Sequence, residues 1–157
     1  MCSKQKGFSL IELLIVVAII LIIAAIAIPN LLRAKMAANE ASAVGSLRTL
    51  NTACIAYFTS YGQFPAAITN LGPVASGGTA SSTSADLIDS LLASGTKSGY
   101  TFVYTAGNSD QNQTYTITAT PISAGQTGQR MFFTDQSGVI CVNVTGSGAN
   151  ASSTPIG

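Results

Sequence analysis

Glu12 is an acid set inside an apolar run. It lies five residues after Gly7 and four after Phe8 in KGFSLIELLIVVAIILIIAAIAIP, and no other charge follows until Arg33. An ionised carboxylate in such surroundings is costly unless a cation meets it. Its chemistry is therefore charge pairing. Catalysis has little to draw on. The chain has no His, which removes the commonest general base and metal ligand. Glu40, Asp86, Asp89, Asp110 and Asp135 are scattered along the sequence. Asp86 and Asp89 suit the start of a short helix. NSDQN (108–112) offers oxygen ligands but lacks the spacing and acid count of a calcium loop, so it reads as a β-turn. No enzyme activity, metal or cofactor is expected.

Composition narrows the partners. Charged residues make up 8% of the 157 positions, against roughly 25% in ordinary soluble domains. Beyond Arg48 the only cations are Lys97 and Arg130, so no clustered Lys/Arg surface exists for a nucleic acid. A surface this poor in charge suits a protein packed into an assembly.

The apolar run sets the architecture. Leu13 to Ile28 are sixteen consecutive apolar residues, and with their neighbours they reach the roughly 20 that a bilayer core requires. Lys4 and Lys6 precede them, favouring a cytoplasmic N-terminus. A cleaved secretory signal would share the basic start and the A-x-A at Ala25–Ala27. However, its apolar region would be shorter and would not hold an acid. A plain membrane anchor also leaves Glu12 without a role. Cys2 is not a lipoprotein site, since no apolar region precedes it.

The basic leader, Gly7, aromatic Phe8, Glu12 and the Pro29 of AIAIPN together resemble the processing signal of type IV pilins and pseudopilins. The resemblance covers about the first 30 residues. It implies cleavage between Gly7 and Phe8 by a membrane prepilin peptidase that also N-methylates Phe8. It implies pairing of Glu12 with the Phe8 amine of a neighbouring subunit. It also implies assembly, by inner-membrane machinery, into a helical homo-oligomeric filament. The chain would be a single-pass inner-membrane protein first and part of an extracellular filament afterwards. Pro29 is expected to kink the helix, and Leu21 stands where related filaments have a glycine.

The remaining elements follow from periodicity. Residues 1–7 read as the leader, 8–32 as the transmembrane and filament-core helix, and 33–62 as an amphipathic helix of the head. Leu32, Met36, Val44, Leu47, Leu50, Cys54, Phe58 and Tyr61 recur every three or four residues. Gly62 and Pro65 end the pattern. One helix over residues 9–61 would extend about 80 Å, so lipid or other subunits must cover its first part. Residues 63–99 read as a connection with a short helix over 84–95, capped by Ser84 and ended by Gly95. From 100 to 146 the period becomes two. YTFVYT, TYTITAT, RMFFT and GVICVNV are strands separated by turn-rich links. Residues 147–157 read as a flexible tail. The expected fold is α+β and pilin-like: a long kinked N-terminal helix packed on an antiparallel sheet of about four strands.

Cys54 on the helix and Cys141 on the last strand are a candidate disulfide for an oxidising compartment. Such a bond would be worth about 2–4 kcal/mol; two buried free thiols are the alternative. Asn112, Asn143 and Asn150 open N-x-S/T sequons and are candidate glycosylation sites. Phe58, Tyr61, Phe102, Tyr115 and Phe133 read as core or sheet residues. The function expected is a structural subunit of a type IV pilus-like filament. A type II secretion pseudopilin is the alternative, and a membrane-anchored extracytoplasmic binding module ranks below it.

Overall fold

Apolar, alanine-rich sequence with no glycine between positions 7 and 45 forms one helix, α1, from Leu10 to Tyr61. The protein is described here from a computed structural model, over residues 7–107, 112–144 and 148–156. Pro29 lies inside α1 without ending it. Gly62 ends it with a φ of 73° that favours glycine, and its N–H bonds to the Phe58 carbonyl at 2.8 Å. The chain divides into two compact units, Met1–Lys35 and Met36–Gly157.

In the first unit, the large apolar side chains from Phe8 to Leu32 are mostly exposed; Ile11 is 64% accessible and Ile22 63%. The membrane-length window of this helix has no buried residue. That surface can leave water only against something outside the chain.

In the second unit, α1 buries Glu40, Ala43, Leu47, Leu50, Cys54 and Tyr57 along one stripe. Phe58 and Tyr61 pack partly buried against the same core, and the Tyr57 hydroxyl donates to the Ser82 carbonyl at 2.7 Å. On the exposed side, the hydroxyls of Thr49, Thr52, Thr59 and Ser60 each donate to the backbone carbonyl four residues earlier.

Among the described residues six antiparallel strands follow in simple order: β1 Thr96–Lys97, β2 Tyr100–Ala106, β3 Tyr115–Pro121, β4 Met131–Asp135, β5 Ile140–Asn143 and β6 Thr154–Pro155. The expected strands are β2 to β5. The two further strands are edge pieces of two residues each, too short to carry a period-two pattern. β6 lies in the tail expected to be flexible; it pairs Thr154 with Val142, and the Ile156 N–H reaches the Ile140 carbonyl at 2.7 Å. β4 and β5 are joined by a tight turn, with the Gly138 N–H on the Asp135 carbonyl at 3.0 Å.

Alternation along the strands sorts two clusters. Tyr100, Phe102, Tyr115, Ile117, Phe132 and Ile140 pack with the α1 stripe. Phe133, Cys141 and Ala149 form a second, smaller cluster with Met131 against it. The Cys54–Cys141 bond is accordingly absent: both are buried free thiols. Ile140 joins the helix-side core, so its neighbour Cys141 points to the other face. Burial pushes the Cys54 thiol up to about 12, which suppresses its thiolate at neutral pH. Alkylation of the denatured chain without reductant is expected to label both thiols. Reductant is expected to leave the melting temperature unchanged. A mass showing neither thiol labelled would contradict the structure.

The helix expected over 84–95 is shorter. α2 spans Ser90–Ala93 and is capped by Asp89, whose carboxylate accepts from the Leu92 N–H at 2.9 Å. Asp86 has a left-handed φ of 56°. The N–H groups of Ala85, Asp86 and Leu87 bond instead to the carbonyls of Asn70, Gly72 and Leu71, so tertiary backbone bonds displace the first helical turn. Asp89 also accepts from Lys97 Nζ at 2.7 Å.

Gly128 shows how tightly the sheet edge packs. The Tyr100 hydroxyl donates to the Arg130 carbonyl at 2.8 Å, and a Cβ at position 128 would lie 2.7 Å from Tyr100 Cζ. Gly128→Ala is expected to destabilise the chain by about 1–3 kcal/mol, read by denaturant unfolding.

Candidate functional site

The N-terminal start of α1 gathers the expected processing and assembly residues. Gly7 and Phe8 precede the helix, and Phe8 is 79% exposed. Ser9 occupies the N-cap position before Leu10, which makes Glu12 the third helical residue. The Glu12 carboxylate Oε2 accepts the Ser9 backbone N–H at 3.3 Å, and the Leu13 N–H reaches the Ser9 carbonyl at 3.2 Å. This is the glutamate half of a capping box. Backbone N–H groups and the positive end of the helix both favour a carboxylate there. Among the described residues no lysine or arginine lies in salt-bridge contact with Glu12. A Cβ on Gly7 would meet nothing within 4 Å, so nothing among the described residues demands glycine at that position.

Glu12 thus sits at the mouth of an exposed apolar helix, and among the described residues its hydrogen-bond partner is a backbone amide. Chemically, the arrangement can accept one further cation and offer a broad apolar surface. It holds no nucleophile with a base. Among the described residues no three His, Cys, Asp or Glu side chains converge.

A second acid, Glu40, is held inside the second unit. It is 7% exposed, and it accepts the Gln129 N–H at 2.9 Å, the Arg130 N–H at 3.1 Å and Arg130 Nε at 2.7 Å. Desolvation by burial raises its pKa. The Gln129 amide and then the Arg130 contacts outweigh this and hold the carboxyl below the usual glutamate value. Asn39 Nδ2 donates to the Thr127 carbonyl at 2.9 Å beside it. Asn51 makes a further polar link: its Nδ2 donates to Thr134 Oγ1 at 2.9 Å, and its Oδ1 accepts the Tyr115 hydroxyl at 3.1 Å. The signal was available for Glu40, which falls in register with Ala43, Leu47, Leu50, Cys54 and Tyr57.

The other sequence candidates do not gather at one place. Asn112 has a left-handed φ of 43°, and its carbonyl accepts the Phe64 N–H at 3.0 Å. Asn143 and Asn150 line the same open groove as Val142, Ser152 and Thr154. Asn150 is exposed, with its side-chain oxygen accepting the Ser152 N–H at 2.9 Å. Residues 108–111 of the NSDQN segment, with Asp110, lie outside the described residues, as do Cys2, Lys4 and Lys6.

Comparison with known proteins agrees with this N-terminal placement. Residues 2–28 match the prokaryotic N-terminal methylation motif. The chain is 43% identical over 61 residues to the type IV major pilin protein of Myxococcus xanthus, a match covering 39% of this chain and 28% of that protein. It is 65% identical over 37 residues to the type IV wide pilus major component of Thermus thermophilus, covering 24% and 28% respectively. It is also 33% identical over 63 residues to the type II secretion system core protein G of Escherichia coli, covering 40% and 43%. The matches therefore span between 28% and 43% of the length of these relatives.

Proposed function

We propose that this chain, a structural subunit of the type IV pilin and pseudopilin family, polymerises through its N-terminal helix into a surface filament. The observation that carries the proposal is the largely exposed apolar stretch from Phe8 to Leu32 with a single carboxylate, Glu12, at its start. Before assembly, lipid covers that stretch, and the chain is an inner-membrane protein. Cleavage after Gly7 removes Lys4 and Lys6 and turns Phe8 into an N-terminal amine, which methylation leaves cationic. That amine on a neighbouring subunit supplies the missing partner of Glu12. Neighbouring helices then replace lipid around the apolar residues, and the charge pair selects one axial register. Pro29 lacks an N–H and leaves a carbonyl of the preceding turn unbonded, which makes it the point where α1 kinks as subunits pack.

Electron microscopy of sheared surface filaments, with mass spectrometry of their subunit, tests this reading. Long filaments built from this chain with a methylated Phe8 N-terminus are expected. Gly7→Val is expected to leave the fold intact and to block cleavage, since only an outside enzyme would feel the added side chain; a normally processed Gly7→Val chain would contradict that role.

The similarity to a secretion core protein favours a second reading, a short periplasmic pseudopilus within a secretion machine. Processed chain confined to the periplasm, with no long surface filament, would select it.

A further inference from the structure

Between Glu12 and Arg33 the first unit carries no charged side chain. Residues 13–32 are apolar except for Pro29 and Asn30, and α1 runs through all of them. Twenty helical residues extend about 30 Å, the thickness of a bilayer's hydrocarbon core. The charges at the two ends of this stretch therefore bracket one membrane span.

The start of α1 marks the same boundary independently. Its first backbone bond runs from the Leu13 N–H to the Ser9 carbonyl at 3.2 Å. The N–H groups of Leu10, Ile11 and Glu12 precede that bond and have no helical acceptor. Hydrocarbon cannot satisfy them, whereas water and headgroups can. The Glu12 carboxylate, which accepts the Ser9 N–H at 3.3 Å, has the same need for polar surroundings.

At the far end, Arg33 and Lys35 are exposed, as are Leu31 and Leu32 before them. Two residues apart on a helix, the cations lie about 200° apart around its axis. One protein neighbour could not meet both. Anionic lipid phosphates surround a helix that crosses a bilayer, and long cationic side chains reach them from either side. Among the described residues neither cation forms an ion pair within the chain. Sliding the helix is opposed in both directions. One shift takes Glu12 and the free N–H groups into hydrocarbon and lifts Leu31 and Leu32 out of it. The other draws in Arg33 and Lys35 and bares Leu13 and Leu14.

We infer that the membrane span is residues 13–32, with Arg33 and Lys35 on phospholipid phosphates of the outer leaflet and Glu12 level with the headgroups of the inner leaflet. The inference rests on the membrane stage of the proposed function and narrows it. Glu12 borders water while the subunit waits in the membrane, and it enters apolar surroundings when the helix leaves the bilayer.

The test uses the full chain in inner membranes of producing cells, with Cys2→Ser removing the leader thiol. Cys54 and Cys141 are buried and give no background. A membrane-impermeant maleimide is applied from the outer side to spheroplasts and from the cytoplasmic side to inverted vesicles. Ile11→Cys is expected to label from the cytoplasmic side and Ala34→Cys from the outer side. Val16→Cys and Ala27→Cys are expected to label from neither. Arg33→Leu with Lys35→Leu removes the outer charges and is expected to move the cytoplasmic boundary by about one turn, so that Val16→Cys becomes labelled. The charge-keeping pair Arg33→Lys and Lys35→Arg is expected to leave the boundary in place. Protection of Ile11→Cys together with outer labelling of Ala27→Cys would place Glu12 in hydrocarbon and overturn the inference. An unmoved boundary in the double-leucine chain would overturn the role of the two cations. Labelling of both Val16→Cys and Ala27→Cys with the cations intact would show that the helix does not span a membrane, and would remove that stage of the proposed function as well.

Discussion

A chain carrying Glu12→Ala is expected to be cut and methylated normally yet to reach filaments at about one hundredth of the usual yield or less. Breaking a buried ion pair from one side costs roughly 3–5 kcal/mol, and each 1.4 kcal/mol is tenfold. The variant must be separated from a trivial loss of helix start, because Glu12 also accepts the Ser9 N–H. Glu12→Gln makes that separation. Its amide oxygen can still accept from Ser9, so the cap survives, while the charge is gone. If capping were the whole role, Gln would restore filaments. If the carboxylate meets the Phe8 amine of a neighbour, Gln stays close to Ala. The readouts are mass spectrometry of the processed N-terminus and the amount of sheared filament per cell. Normal yield from Glu12→Ala would sink the assembly role outright.

Glu40→Ala is expected to destabilise the second unit by about 2–3 kcal/mol, since it removes three bonds to a charged acceptor and leaves two amides without one. Arg130 is partly exposed, so solvent screens its share, and the Gln129 and Arg130 N–H groups carry most of the loss. The pH dependence has a definite sign. The folded pKa of Glu40 lies below its ordinary value of 4.5. Its stabilisation is therefore fully present above about pH 4.5 and disappears as pH falls through the lowered folded value. Denaturant unfolding of the detergent-solubilised chain should show this as an acid limb that Glu40→Gln flattens. Parallel acid limbs in the two proteins would show that Glu40 is not the group responsible.

The N-terminus was legible because its signal is covalent and local. Gly7, Phe8, Glu12 and an uninterrupted apolar run do not depend on folding to be recognised. The four long strands were legible for a related reason: each carries enough β-branched and aromatic residues to display a period of two. What escaped needed tertiary information. β1 and β6 are two-residue edges that exist only because β2 and β5 offer them partners. The helix over 84–95 lost its first turn to backbone bonds from residues 70–72. Glu40 sat in register with the buried stripe, but the Gln129 and Arg130 amides that hold its carboxylate lie far along the chain. For the cysteines the second of the two alternatives holds, two buried free thiols, and strand alternation accounts for it. Once Ile140 is assigned to the helix side, strand alternation sends Cys141 to the opposite face, and no disulfide can reach through the sheet.

The hydroxyls on the exposed side of α1 carry one more consequence. Thr49, Thr52, Thr59 and Ser60 have already given their protons to the helix's own carbonyls. Those four hydroxyls can be dried against another protein without stranding a donor, the event that makes most polar groups poor candidates for burial. The helix therefore has two ways of being ready for company. One stretch is openly greasy and needs cover at every moment; the other is discreetly self-satisfied and loses little whether it is covered or not.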